Sequence, residues 1–226
     1  MGLGALLLAL LWGVHFSRGV PSVYLMESSL GNFLLVKGAT LSDNSLNITA
    51  DSLCTCRMQC NAMVGCTAAS LVGEVCRLSS SGLQASVFTE HENASLMLWN
   101  NTDDGSFWLG VDGRVYLTFS TAVKSGDALV TCSQFPGFRL GSFSSLESMA
   151  ALKEFYERDG TQVSVDLSIN NVWGDGVPYD QTKSLYERTY VSGYNYIMLD
   201  GTLIQKSRRE NVRLLCQADL ANAELP

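Results

Sequence analysis

Seven cysteines divide this 226-residue chain into two unlike parts. Cys54, Cys56, Cys60, Cys66 and Cys76 are crowded into one short stretch, whereas Cys132 and Cys216 stand far apart. A tight cluster suits a small stapled unit, and a distant pair closes a long loop. Whether these thiols oxidise depends on the compartment. Residues 3–14 are almost all Leu, Ala, Gly, Val and Trp, and Ser17 and Gly19 lie at the small-residue positions before a cut after Gly19. That run is too short to span a bilayer. Its layout predicts a signal peptide over residues 1–19, although its first residues lack a Lys or Arg. No later segment is long and apolar enough to cross a membrane. The cysteines therefore read as a disulfide framework in a secreted protein, with the pairing left open by spacing alone. Their odd number leaves one thiol free, capped, or joined to another chain.

Composition narrows the function. The formal charge of −7 falls to −8 once Arg18 leaves with the signal peptide. An acidic protein repels phosphate backbones, so no nucleic-acid partner is expected. His15 leaves as well, and His91 becomes the single histidine of the mature chain, within the polar run Glu90-His91-Glu92-Asn93. That argues against Ser-His-Asp or Cys-His catalysis and against a multi-histidine zinc site. There is no Gly-rich phosphate loop, and no enzyme is expected. A carboxylate pair of the glycosidase kind is not readable from sequence, because its geometry is not. Asn47-Ile48-Thr49, Asn93-Ala94-Ser95 and Asn100-Asn101-Thr102 are sequons. Behind a signal peptide, Asn47, Asn93 and Asn100 become candidate glycan sites on exposed backbone.

In the first part, Phe33-Leu34-Leu35-Val36 predicts a strand, Lys37-Gly38-Ala39 a turn, and Asn44 to Thr49 an exposed loop. Asp51 or Ser52 can cap a helix through Leu53–Cys60 that places Cys56 and Cys60 on one face. Strands follow over Cys66–Ser70 and Val75–Leu78. The spacing Cys56-x3-Cys60-x5-Cys66, then Cys76-x-Leu78, resembles the PAN/apple family over residues 30–99. In that family two bridges staple a helix to neighbouring strands, which implies Cys56–Cys76 and Cys60–Cys66. Cys54 is extra. It is the candidate unpaired or intermolecular thiol, although it can also take the place of Cys56. Ala69 stands where the family usually has an aromatic. A zinc site is a poor match to this spacing. The resemblance implies a non-catalytic adhesion module over residues 20–100 that binds protein or glycan, or acts as a spacer.

Residues 101–105 form a polar, turn-rich linker. Beyond it, Val115–Phe119 alternates as a strand, and Lys124 to Asp127 opens a helix carrying Cys132 that Pro136-Gly137 stops. Ser144 and Glu147 have capping-box spacing for a second helix over Ser145–Arg158. Its buried side is expected to hold Leu146, Met149, Ala150, Leu152, Phe155 and Tyr156. Thr161 to Ile169 alternates as a strand, and Tyr194–Leu199 and Val212–Cys216 read as late strands. The element Gly137-x-x-Leu140, the run Trp173-Gly174-Asp175-Gly176 and the cysteine pair resemble the C-type-lectin-like family over residues 106–220, leaving 221–226 as a tail. The resemblance implies a Cys132–Cys216 bridge, worth about 4–5 kcal/mol at best from chain entropy.

Two features of that family are absent. The positions of its inner disulfide fall near Ile197 and Arg208, and neither is Cys. Its calcium-dependent sugar triplets, Glu-Pro-Asn or Gln-Pro-Asp, do not occur, and Val177-Pro178-Tyr179 has no flanking acid and amide. No cofactor is required, and calcium is the one ion left open, through Asp175, Asp180 and Asp200. Trp173 can stack on a sugar or anchor the core. Lys206, Arg208, Arg209 and Arg213 make a basic spot that suits a sulfated or sialylated glycan or protects a strand edge. The expected fold is α+β, with two disulfide-stapled domains: a PAN/apple-like helix on an antiparallel sheet, then a C-type-lectin-like fold with two helices and antiparallel sheets. The expected function is extracellular recognition of a protein or glycan without membrane insertion. The alternatives are a lectin with a non-standard site and a matrix protein joined as a disulfide-linked homodimer.

Overall fold

The computed structural model describes residues 21–28, 31–42, 45–100, 105–159, 162–168, 170–181, 187–189, 195–199, 202–207 and 209–221. The expected signal peptide, Asp200, Arg208 and residues 101–104 of the expected linker fall outside them.

The first half is a six-stranded antiparallel sheet carrying one helix. Its strands are β1 Ser22–Met26, β2 Phe33–Leu41, β3 Leu46–Thr49, β4 Ala68–Val72, β5 Val75–Ser79 and β6 Phe88–Trp99, in the order β1-β2-β6-β4-β5-β3. Strand alternation sends neighbouring side chains to opposite faces, and here both faces are buried. Leu34, Val36, Leu96 and Leu98 enter one apolar cluster, while Phe33, Leu35 and Met97 enter another beneath helix α1, Leu53–Ala62. That is why Phe33–Val36 reads as an unbroken apolar run. Helix α1 begins at Ser52, whose Oγ accepts the Thr55 N–H. Bridge Cys56–Cys76 fastens α1 to β5, and Cys60–Cys66 ties its last turn to the segment that leads into β4, with both Cys56 and Cys60 buried.

Two local expectations change. Lys37-Gly38-Ala39 does not end β2. The strand runs on through a register shift between Lys37 and Ala39, with Gly38 at φ +87°. Leu46–Thr49 is edge strand β3 rather than loop, paired with β5. His91 is exposed, but it lies within β6, where the polar run crosses the irregularity facing Gly38.

Among the described residues, the second half is a nine-stranded mixed sheet with two helices. Its strands are β7 Gly105–Leu109, β8 Arg114–Phe119, β9 Val123–Lys124, β10 Arg139–Leu140, β11 Val163–Ser164, β12 Glu187–Thr189, β13 Asn195–Leu199, β14 Thr202–Lys206 and β15 Asn211–Asp219. The order is β12-β14-β13-β11-β15-β8-β7, and β9 and β10 also pair with β15. Helix α2, Ala128–Ser133, carries Cys132, bonded to Cys216 in β15 across 84 positions. Helix α3, Leu146–Asp159, packs Met149, Ala151, Leu152 and Phe155 against Tyr116 and Leu215. Leu146 is 52% exposed, contrary to its expected place in the core. The α3 cap also shifts by one residue. Ser145 Oγ accepts the Ser148 N–H while Ser148 Oγ accepts the Ser145 N–H, and the Ser144 hydroxyl turns elsewhere. The predicted strand over Thr161–Ile169 shortens to β11 and a single bridge from Leu167 to Trp173.

The hydrophobic core does not stop at residue 105. One cluster holds Val23, Leu34, Val36, Leu96 and Leu98 of the first half together with Leu117, Phe119, Cys132, Phe135, Leu214 and Cys216 of the second. Phe135 is the hub, with its ring 5.2 Å from Phe88 and 4.9 Å from Phe119. Gly137, at φ +83°, passes so close to the first half that a Cβ there would meet Val23 Cγ2 at 2.7 Å. The layers therefore run α1, first sheet, shared core with α2, second sheet, α3. A core shared in this way couples the halves. Calorimetry is expected to show one cooperative unfolding transition. Phe135→Ala should lower the stability by about 3–5 kcal/mol without splitting it. Two resolved transitions in the unmodified protein would contradict the coupling.

Candidate functional site

Between Val165 and Tyr179 the backbone closes a compact double turn. The Ser168 N–H donates to Val172 O, the Trp173 N–H to Val177 O and the Tyr179 N–H to Asn171 O, at 2.9, 2.9 and 2.7 Å. Asn171 takes the left-handed conformation, φ 61°, that Asn tolerates better than most residues. Trp173 anchors the turn from inside. It is 2% exposed, meets Phe143 edge-on at 6.2 Å and lies 6.1 Å from Tyr179. A ring this deeply covered offers no platform for a sugar, so Trp173 is a core anchor. Its ring belongs to the apolar cluster that also holds Phe143, Leu152 and Leu203.

The polar side of the turn faces Ser142, Ser144, Asp166 and Asp175. Asp175 Oδ1 accepts the Val177 N–H at 3.1 Å, and Oδ2 accepts the Ser144 hydroxyl. Burial acts to raise the Asp175 pKa, but the bonds from Ser144 and Val177, with Ser142 and the Arg139 charge nearby, outweigh it and hold it below the usual aspartate value. Asp166 behaves in the opposite way. Burial is the larger effect and the charge of Asp175 adds to it, so its pKa rises despite Arg139. Its carboxylate occupies the space that a side chain at residue 174 would fill, which requires Gly174. Behind this pair, Ser142 N–H donates to Gln217 Oε1 at 2.9 Å. Ser142 Oγ and Gln217 Nε2 are buried without a hydrogen bond among the described residues.

This arrangement bears on the other candidates. Both Asp175 oxygens are already engaged, and no group of three or more His, Cys, Asp or Glu among the described residues could hold a metal ion. Asp180 is exposed on the same turn, while Asp200 lies outside the described residues. Arg209 is exposed, Lys206 ends β14, and Arg208 lies outside the described residues. Arg213 is half-buried, and its Nε donates to Phe119 O at 2.9 Å. Cys54 is free and exposed on α1. It borders a shallow apolar cavity that Met26, Phe33, Leu53, Arg57 and Met97 also line. Asn47 and Asn93 are exposed on β3 and β6. Asn100 Oδ1 accepts the Phe107 N–H at 3.1 Å, tying the end of β6 to β7. Sequence reasoning missed Ser142, Ser144, Asp166 and Gln217. Only the glycine after Trp173 hinted at a close approach, and nothing in its spacing pointed to Asp166.

Neither a protein-family model nor a curated protein matches the sequence. Among solved structures, the chain is similar to the C-type lectin CEL-I from Cucumaria echinata, at 16% identity over 54% of this chain and 98% of that one, with a TM-score of 0.40. It is also similar to CEL-IV, at 22% identity over 53% of this chain and 96% of that one, with a TM-score of 0.41. Human lithostathine is similar at 12% identity over 53% of this chain and 90% of that one, with a TM-score of 0.39.

The carboxylate pair makes stability depend on pH in two opposed ways. The raised Asp166 pKa means that the folded state holds its proton longer, so this group's contribution falls as pH climbs above the unfolded value. The lowered Asp175 pKa gives stability above that value, lost as pH drops through the folded pKa. Asp166→Asn is therefore expected to raise the denaturation midpoint more at about pH 7 than at about pH 3. Asp175→Asn should lower it at the higher pH. Denaturant melts of the two variants at both pH values check the signs.

Proposed function

We propose that this protein is a secreted, non-catalytic recognition protein whose C-terminal half is a C-type-lectin-like domain preceded by a PAN/apple-like module. The observation that carries the reading is the frame made by Cys132–Cys216. It ties α2 to the central strand β15, and the enclosed chain presents a turn anchored by Trp173. The first module fits its proposed family through α1, stapled by one bridge to β5 and by another to Cys66 in the segment that leads into β4.

On this reading the ligand is an extracellular protein or glycan, bound without the calcium-dependent sugar site. The sequence lacks the triplets that such a site uses, and Asp175 spends its oxygens on Ser144 and Val177. The ligand surface is the outer side of the turn, where Val177 is 43% exposed and Asp180 lies beside it. Arg209 and Lys206 supply positive charge for an anionic glycan. Asn47, Asn93 and Asn100 are proposed to carry glycans of the protein's own.

A glycan array on the mature protein, run with calcium and again with EDTA, is expected to show no mannose or galactose binding that EDTA removes. Tight, EDTA-sensitive binding to either sugar would overturn the reading. A second role as a matrix protein rests on the exposed thiol of Cys54, which is placed to join two chains. Gels run with and without reductant should then show a dimer that reductant converts to monomer, and a monomer in both lanes would remove this role.

A further inference from the structure

The two edges of the first sheet are finished differently. β1 is closed by the protein's own C-terminal segment: Val23 bridges Leu220 in parallel, and the Ala221 N–H donates to Val23 O at 2.9 Å. β3, at the other edge, pairs among the described residues with β5 on one side alone. An edge strand offers outward-facing N–H and C=O groups to any strand that approaches it. Proteins blunt such edges by keeping them short or with charge, proline or a bulge. β3 is short, at four residues, but has no charge, proline or bulge. Its sequence is Leu-Asn-Ile-Thr, and its register with β5 runs unbroken from Leu46↔Leu78 to Thr49↔Val75. The edge strand also exposes an apolar side chain, with Leu46 55% exposed.

What β3 does have is a sequon set along its length. Ile48 packs toward the core beneath α1, and alternation sends Asn47 and Thr49 to the other face, where both are exposed. We propose that Asn47 carries an N-linked glycan and that this glycan closes the β3 edge against strand addition from a second copy of the chain. The transfer joins Asn47 Nδ2 to C1 of the first sugar of a lipid-diphosphate oligosaccharide. The C1–O bond to the carrier breaks, the lipid diphosphate leaves, and the Nδ2 proton passes to the transferase. The Thr49 hydroxyl completes the acceptor sequence. A bulky, hydrated chain rooted in the edge strand blocks a second strand from coming within the 4.7–4.9 Å or so that pairing needs.

The inference rests on the secretion proposed above, and the test separates the two. The chain is secreted from eukaryotic cells in a Cys54→Ser background, so that no intermolecular disulfide can mimic strand addition. Asn47→Gln, Thr49→Ala, Thr49→Ser and Asn93→Gln are compared by intact mass and by light scattering across a concentration series. Asn47→Gln and Thr49→Ala are expected to lose one glycan's mass and to shift from monomer to dimer or larger. Thr49→Ser, which keeps the sequon, should keep both the glycan and the monomer. Asn93→Gln should lose a glycan without associating. Enzymatic removal of the glycans from the folded protein should reproduce the association, which covers any variant that fails to fold. Sugar at Asn93 with none at Asn47, or a monomer after deglycosylation, overturns the inference and leaves secretion standing. Sugar at none of the three sequons overturns this inference alone, and failure of the chain to reach the medium overturns the secretion reading and this inference with it.

Discussion

The bond between Cys132 and Cys216 lies inside the apolar cluster that both halves share, and both sulfurs are fully buried. Its placement matters more than its strength. Cys216 belongs to β15, which pairs with β8, β9, β10 and β11. Fixing α2 to that strand fixes the position of Phe135 just beyond the helix, and Phe135 is where the first sheet meets the second. The long loop that the bridge closes limits the unfolded chain. In the folded chain the same bond holds the residue around which the layers pack.

β15 also explains how the polar turn is positioned. Odd and even residues of the strand face opposite sides, so Leu214 and Cys216 enter the shared core while Leu215 enters the core under α3. Gln217 follows Leu215 on that second side and takes the Ser142 N–H. The chain after β10 is thus held beside β15, and Gly141 O accepts the Asp166 N–H at 2.7 Å. Asp166 is carried with it against Gly174. A half-buried carboxylate of raised pKa is a cost to the fold, and the surrounding bonds offset it. Arg139 is drawn toward Asp166 and Asp175 and also lies 3.8 Å from Asp219.

How far the sequence reveals this depends on the range of the interaction. Helix α3 is legible because its apolar period is local. Its cap is less so, because Ser144, Ser145 and Ser148 compete for the same role and the outcome turns on Asp175, which is 31 residues away from Ser144. β6 is hidden by Glu90-His91-Glu92-Asn93, a run that reads as loop although the strand passes through it. β3 is hidden because an edge strand with three exposed residues looks like loop in composition. The shared core cannot be seen at all. Leu34 and Leu35 are the same residue type on adjacent positions, yet one faces the second half and the other faces α1. Only the assembled sheet tells them apart. Trp173 was open between surface and core for the same reason, since its burial depends on Phe143 and Leu203, which spacing does not connect to it.

A core common to both halves changes what recognition means for this molecule. A module on a flexible tether must lose orientational freedom before two of its surfaces can act on one ligand, and that ordering weakens binding. Here Phe88, Phe119 and Phe135 lock the first sheet to the second, and Gly137 leaves no room for a looser fit against Val23. The turn around Trp173 is rigid for its own reasons, with its backbone bonded across and its ring buried. Binding at Val177 and Asp180, as proposed above, would therefore cost little ordering of the protein itself. The first half then acts less as a spacer than as the support that keeps α2, β15 and the turn in one geometry. A substitution at Phe88 or Val23, far from that turn in sequence, would reach it through Phe135 and the Cys132–Cys216 bond.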